Sequence, residues 1–175
     1  MAKFLVEVVG VYYREIIEAP SGSTVKVIME QAQLGTPLQI EPGPGNQVQR
    51  ITHDLQAPFE TRGNRTRQPG KYSIAEIVSP EGAVAWQYYI ERPEGGIDLT
   101  AYKTAIASNQ PLEAQRLRKN VSFQRMSYTR AKEGFLGIDA SEQCEDGDVI
   151  VWRCVAILKK EGDSNEVYAK AIANS

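Results

Sequence analysis

The chain is poor in the residues that most often perform chemistry or bind metals. It contains one histidine and two cysteines in 175 residues, which is too few for a disulfide scaffold or for the paired ligands of a zinc site. His53 precedes Asp54, and nothing in the sequence brings either residue to Cys144 as a catalytic base would require. We therefore expect no enzyme activity, no cofactor and no metal site.

Long hydrophobic runs are also missing. No apolar stretch approaches the roughly 20 residues of a membrane-spanning helix. Glu7 interrupts the apolar start and no small-residue cleavage site follows, so we predict a first strand there and not a signal peptide. The composition, 42% hydrophobic and 24% charged, is typical of a globular domain. These features predict a single cytoplasmic domain over 1–175 without a membrane partner.

The net charge of −2 hides an uneven distribution. Residues 61–71 carry four basic side chains and no acid, and residues 112–132 carry six basic side chains against one acid. Arginine interleaved with aromatic residues suits phosphate and base contacts, whereas a solvated helix face that offsets the acidic remainder is the open alternative. We select these candidate binding residues: Arg62, Arg65, Arg67, Arg116, Arg118, Lys119, Arg125 and Arg130.

The first forty residues have a regular local pattern. Residues 3–9 and 12–18 alternate as two strands of a hairpin with Gly10 at the turn. Ser23 or Thr24 can cap the helix that follows, since a hydroxyl oxygen accepts from an unpaired backbone N–H of the first turn. Helical spacing predicts one apolar stripe on it: Val25, Ile28, Met29 and Ala32.

The middle of the chain is less regular. Residues 48–55 fit either a strand or a short helix, and the arginine-rich segment 61–71 has the composition of an exposed loop. A Pro/Gly turn at 80–82 predicts a hairpin between strands 72–78 and 84–91. Because adjacent strand residues face opposite sides, Trp86 and Tyr88 are expected in the core, as is Trp152. We expect Tyr89 to be exposed and include it among the candidate binding residues.

The second half is predicted to alternate between helix and strand. Asp98 can cap a helix carrying Leu99 and Tyr102, and Pro111 suits the first turn of another helix. Residues 121–125 alternate as a strand, and 149–158 form the last clear strand. The tail from Asp163 fits either a short helix or a strand.

Three short stretches together resemble a known fold. They are Gly22-Ser23-Thr24-Val25, Trp86-Gln87-Tyr88-Tyr89-Ile90 and Gly147-Asp148-Val149-Ile150-Val151-Trp152. In this order they are similar to the C-terminal β-grasp domain of transcobalamin and intrinsic-factor-like proteins. The resemblance implies an α+β fold, a β-grasp-like mixed sheet packed on one helix. Residues 1–91 and 143–160 would form that core, with a helical insertion at 92–142 that the family pattern lacks.

The expected function is non-enzymatic. We predict a binding or adaptor protein that contacts a protein partner through a sheet edge or through the basic insertion. Two alternatives stay open. One is a nucleic-acid-binding protein that uses the basic stretch 116–132 and the loop 61–71. The other, implied by the resemblance, is a small-molecule-binding β-grasp domain.

Overall fold

The chain is an α+β protein with mixed sheets. The structure is a computed structural model, and it describes residues 1–43, 48–61, 65–79, 82–92, 98–107, 122–125, 130–131, 134–135, 143–160 and 163–171. Neither helix in these ranges has the length and apolar character needed to cross a membrane.

Sixteen elements follow one another along these described residues. In chain order they are β1 (Ala2–Val8), β2 (Tyr13–Ala19), α1 (Val25–Gly35), β3 (Leu38–Pro42), β4 (Val48–Leu55), β5 (Phe59–Glu60), β6 (Thr66–Arg67), β7 (Gly70–Ala75), β8 (Ile77–Ser79), β9 (Gly82–Arg92), α2 (Leu99–Ala107), β10 (Ser122–Arg125), β11 (Arg130–Ala131), β12 (Gly134–Phe135), β13 (Val149–Lys160) and β14 (Asp163–Ala171).

A mixed sheet forms the centre of the molecule. Its strands lie in the order β10-β9-β13-β1-β2, with β8 beside β9 and β14 beside β13. The strands β1 and β13 run parallel, whereas the other pairs are antiparallel. The predicted β1–β2 hairpin and the closing strand are confirmed. The tail that the sequence left open is strand β14.

Helix α1 packs on one face of this sheet. The hydroxyl oxygen of Thr24 accepts from the N–H of Val27 at 3.3 Å, which satisfies one unpaired donor of the first turn. The predicted stripe is confirmed, because its four members are the buried residues of the helix. They join one core cluster with the sheet residues Phe4, Trp86 and Trp152. Both tryptophans are thus in the core, as predicted.

A second sheet, β3-β4-β7, packs against the same core. Residues 48–55, left open by the sequence, are its central strand. Ile51 is buried, and its cross-strand neighbours Ile40 and Ile74 pack against the core cluster. The predicted hairpin between 72–78 and 84–91 is therefore only partly right. The end of the hairpin nearest the turn, β8 with β9, pairs as predicted. Strand β7 instead pairs with β4, and in that position Ile74 packs against the core.

Helix α2 covers the opposite face of the large sheet. Asp98 caps it as predicted, since its carboxylate accepts from the N–H of Ala101 at 3.1 Å. Leu99 and Tyr102 form a second buried cluster with the sheet residues Leu5, Val149 and Val151. This face of the sheet is thus shielded from water as well.

The predicted insertion at 92–142 is described only in parts. Helix α2 and the strand β10, which pairs with β9, confirm the helix after Asp98 and the strand ending at Arg125. The predicted helix after Pro111 lies outside the described residues.

Candidate functional site

The turn between β1 and β2 directs the side chain of Tyr12 away from the core. Gly10 has a φ of 94°, and Tyr12 has a φ of 59°. The left-handed region is rare for a bulky residue and costs of order 1 kcal/mol or more. The turn buries Val11 completely and leaves the Tyr12 ring half-buried. The conformation of Tyr12 is therefore held by its surroundings and not by its own preference.

Three side chains surround the Tyr12 ring. The Tyr72 ring meets it edge-on with a centroid distance of 4.6 Å, and the Phe59 ring lies 5.9 Å away. The guanidinium carbon of Arg67 lies 5.3 Å from the Tyr12 centroid. Phe59 and Arg67 are direct cross-strand partners in the short β5–β6 hairpin, so the hairpin presents both on one face. All four side chains are half-buried.

Arg14 supports this group from inside the protein. It is 4% exposed, its Nε donates to Glu7 Oε2 at 2.7 Å, and its Nη1 donates to the carbonyl oxygen of Glu60 at 2.9 Å. The guanidinium carbon also lies 4.4 Å from the Phe59 centroid. Arg14 thus fixes the β5–β6 hairpin to strand β2. We call Tyr12, Arg14, Phe59, Arg67 and Tyr72 the aromatic–arginine cluster.

The guanidinium of Arg67 is held in place without an acceptor. Its Nε is buried and has no hydrogen-bond partner, and the Tyr12 ring is its contact in the described residues. A buried N–H without a partner costs about 1–3 kcal/mol. Arg67 as a whole is only half-buried, so part of this residue is accessible from solvent.

The predicted candidate residues fall in different places. Arg67 lies in the cluster, and Arg65 is exposed two residues earlier, where its N–H and carbonyl oxygen bond to Thr61. Arg125 ends β10 and Arg130 starts β11. Four predicted residues lie outside the described ranges: Arg62, Arg116, Arg118 and Lys119. The segment 61–71 was predicted as a loop, but it contains β6 and the start of β7.

The prediction that Tyr89 is exposed was wrong. Its ring is half-buried and packs against the cluster that α2 forms with the sheet. The guanidinium carbon of Arg153 lies 5.2 Å from its centroid. The predicted alternation is correct, since Tyr88 is fully buried on the other face. Tyr89 is covered because this face also carries a helix.

Several cluster residues escaped the sequence analysis. Arg67 was selected for its charge. Arg14, Phe59 and Tyr72 carried no signal, because the contacts join residues from four separate strands and a turn. The pairing of Phe59 with Arg67 across a hairpin of two-residue strands is too short a pattern to recognise.

His53 and the cysteines serve the core. His53 is buried; its Nδ1–H donates to the carbonyl oxygen of Val11 at 2.8 Å, and its ring meets Tyr13 edge-on. Burial lowers the pKa of His53, although the hydrogen bond to Val11 opposes this shift. Burial also raises the pKa of the Cys154 thiol to about 12, with a smaller contribution from the charge of Glu76. Within the described ranges, no three acidic, histidine or cysteine side chains gather around a metal position.

The lowered pKa of His53 predicts a loss of stability on acidification. The unfolded chain takes up a proton near pH 6.5, before the folded protein does, so the folded state loses stability as the pH falls below that value. His53 is the only histidine. The urea concentration at the unfolding midpoint should therefore decrease when the pH is lowered from 7.5 to 5.5. His53→Gln should reduce this pH dependence. An equal fall in the variant would contradict the assignment.

The geometry of the aromatic–arginine cluster cannot be interpreted by analogy. Comparisons of this chain with protein-family models, curated proteins and solved structures find no match.

Proposed function

We propose that this chain is a non-enzymatic binding protein with a β-grasp core, which captures an extended segment of a protein partner along the outer edge of β2. The strand order β2-β1-β13-β9 and the parallel β1–β13 pair support the β-grasp assignment. So does helix α1, which follows the first hairpin and packs on the sheet. In this proposal, 92–142 is an insertion into a core built from 1–91 and 143–160.

The backbone geometry of β2 is the observation that carries the proposal. The N–H groups of Leu5 and Val9 donate to carbonyl oxygens of Asp148 and Trp152, so the odd residues of β1 face β13. The even residues of β1 must then bond to β2. Their register partners, such as Glu15 for Val6, are the odd residues of β2.

The even residues of β2 therefore point their backbone groups outward. Arg14, Ile16 and Glu18 each direct one N–H and one C=O away from β1, and in the described residues β2 has no strand on that side. Such a row of unpaired groups is what an added strand requires. Since every second residue of β2 presents its backbone groups to the outside, a peptide of about six residues can pair along this strand.

The edge of β3 differs from that of β2. The N–H of Ile40 donates to the side-chain oxygen of Gln33 at 3.0 Å. The strand ends at Pro42, which has no N–H to donate. The second sheet is therefore partly closed to strand addition on this side, and a partner segment is expected to choose β2.

A proline substitution tests the proposal with little damage to the fold. Glu18 is exposed and its N–H points outward, so Glu18→Pro removes a donor from the edge and leaves the β1–β2 bonds intact. Peptides selected on the wild-type protein from a displayed random library supply the probe. We expect Glu18→Pro to weaken the best synthetic peptide about tenfold or more, and the matched Glu18→Ala by less than about twofold.

Hydrogen exchange locates the bound peptide independently. Saturating peptide should slow exchange at the amides of Ile16 and Glu18 and leave that of Ile40 unchanged. Equal weakening by Glu18→Pro and Glu18→Ala, or protection confined to other strands, would rule out the β2 edge as the binding site.

A further inference from the structure

We infer that the aromatic–arginine cluster is a second binding site, which adjoins the β2 edge at Arg14, and that its ligand is single-stranded nucleic acid. Single strands offer flat bases and phosphates in alternation. Proteins bind them by stacking the bases on aromatic rings and by donating hydrogen bonds from basic side chains to the phosphates of the nucleic-acid backbone. The cluster combines both features at one end of the molecule.

Three aromatic rings supply the stacking surface. Tyr72 and Phe59 each contact the Tyr12 ring, with centroid distances of 4.6 and 5.9 Å. Each ring is half-buried, so part of it stays accessible to a ligand. The left-handed backbone of Tyr12 is what turns this ring toward the other two. Strained backbone conformations of this kind cluster at active sites and ligand-binding sites.

Two arginines supply the donors for phosphate. Arg67 is positioned on the Tyr12 ring, and no described residue accepts a hydrogen bond from its guanidinium. Arg65 is exposed and lies two residues earlier in the chain. A guanidinium can bond to a phosphate and stack on a base with the same flat group.

Arg14 is a positioning residue in this proposal. Its guanidinium is buried, paired with Glu7 and bonded to the backbone of Glu60, so it does not reach the ligand. Instead it holds Phe59 and the β5–β6 hairpin against the sheet. The stacking surface is thus preorganised before a strand binds, which reduces the entropy lost on binding.

Base stacking favours a single strand over other anions. In a duplex the base faces are stacked on one another and cannot reach Tyr12, Phe59 or Tyr72. Polyphosphate matches the charge but has no bases. A phosphotyrosine peptide provides only one ring and one phosphate. Comparing the affinities of duplex DNA, polyphosphate and a phosphotyrosine peptide with that of the single strand therefore separates the contribution of the rings from that of the charge.

The test measures binding of a fluorescein-labelled 20-residue oligothymidylate by anisotropy at about 50 mM salt. Arg67→Gln and Tyr72→Leu should each weaken binding about tenfold or more. Lys71→Gln is the matched control, since Lys71 adjoins Tyr72, carries the same charge as Arg67 and lies on the opposite face of β7. It should weaken binding by less than about threefold, and raising the salt should weaken all variants.

Arg67→Lys separates charge from stacking, and the urea midpoint of each variant confirms that it folds. Because lysine keeps the charge but not the flat guanidinium, its affinity should lie between those of the wild type and Arg67→Gln. The proposal is overturned if the oligonucleotide does not bind, or if Lys71→Gln and Arg67→Gln weaken it equally. It is also overturned if duplex DNA, polyphosphate or a phosphotyrosine peptide binds as tightly as the single strand.

Discussion

Replacing Arg14 by leucine is expected to lower the free energy of unfolding by about 3–5 kcal/mol. The Arg14 and Glu7 side chains are 2% and 1% exposed, and they are joined by a 2.7 Å bond between Nε and Oε2. Removing the guanidinium takes the 2.7 Å charge-assisted bond away from the buried Glu7 carboxylate, and the lost charge compensation is the main cost. Urea unfolding followed by tryptophan fluorescence measures the loss.

A double variant distinguishes the pair from its surroundings. Glu7→Leu together with Arg14→Met removes both charges and keeps apolar volume, so most of the stability should return. The carbonyl oxygen of Glu60 still loses its donor, which leaves a cost of about 1–3 kcal/mol. A double variant as unstable as Arg14→Leu would show that the lost charge compensation at Glu7 is not the cause.

Replacing Trp152 by alanine is expected to cost about 3–5 kcal/mol. Trp152 is 1% exposed and lies on β13, between β1 and β9, where its ring centroid is 5.0 Å from that of Tyr88. The two flanking strands restrict how far the surroundings can collapse into the cavity, so the cost should fall at the upper end of the range. Urea unfolding measures this loss in the free energy of unfolding as well.

Phenylalanine at the two tryptophan positions provides a sharper comparison. The Trp86 Nε1–H donates to the carbonyl oxygen of Ile74 at 3.2 Å, whereas the buried Trp152 Nε1 has no acceptor among the described residues. Trp86→Phe loses a hydrogen bond, but Trp152→Phe removes an unsatisfied donor. We expect Trp86→Phe to be the more destabilising by about 1 kcal/mol or more. Equal costs would contradict the hydrogen-bond assignment.

The elements that the sequence predicted well are those set by local chemistry. A capping hydroxyl at Thr24 and apolar residues at helical spacing specify α1 without reference to any other part of the chain. Alternation did the same for β1, β2 and the strand that holds Trp86 and Tyr88. The carboxylate of Asp98 likewise marked the start of α2.

The partners of strands were harder to predict, because alternation says which residues share a face but not what lies beside the strand. The β-rich run after residue 70 looks continuous in sequence, yet Glu76 interrupts it. The N–H of Glu76 donates to the carbonyl oxygen of Gln49 in β4. The run is thus divided between two sheets, with β7 beside β4 and β8 beside β9.

The amino-acid sequence determined which side chains share a face of each strand and where α1 begins and ends. Its composition also determined that few histidine and cysteine side chains are present for catalysis or metal binding. Tertiary structure alone decided which faces are covered. Glu7, Arg14 and Glu91 carry charged side chains, yet all three are buried: Tyr102 of α2 donates to Glu91, and Arg14 donates to Glu7 and to the backbone of Glu60 in β5. The aromatic–arginine cluster has the same origin, because only the folded chain brings a turn at Tyr12 to a hairpin some fifty residues later.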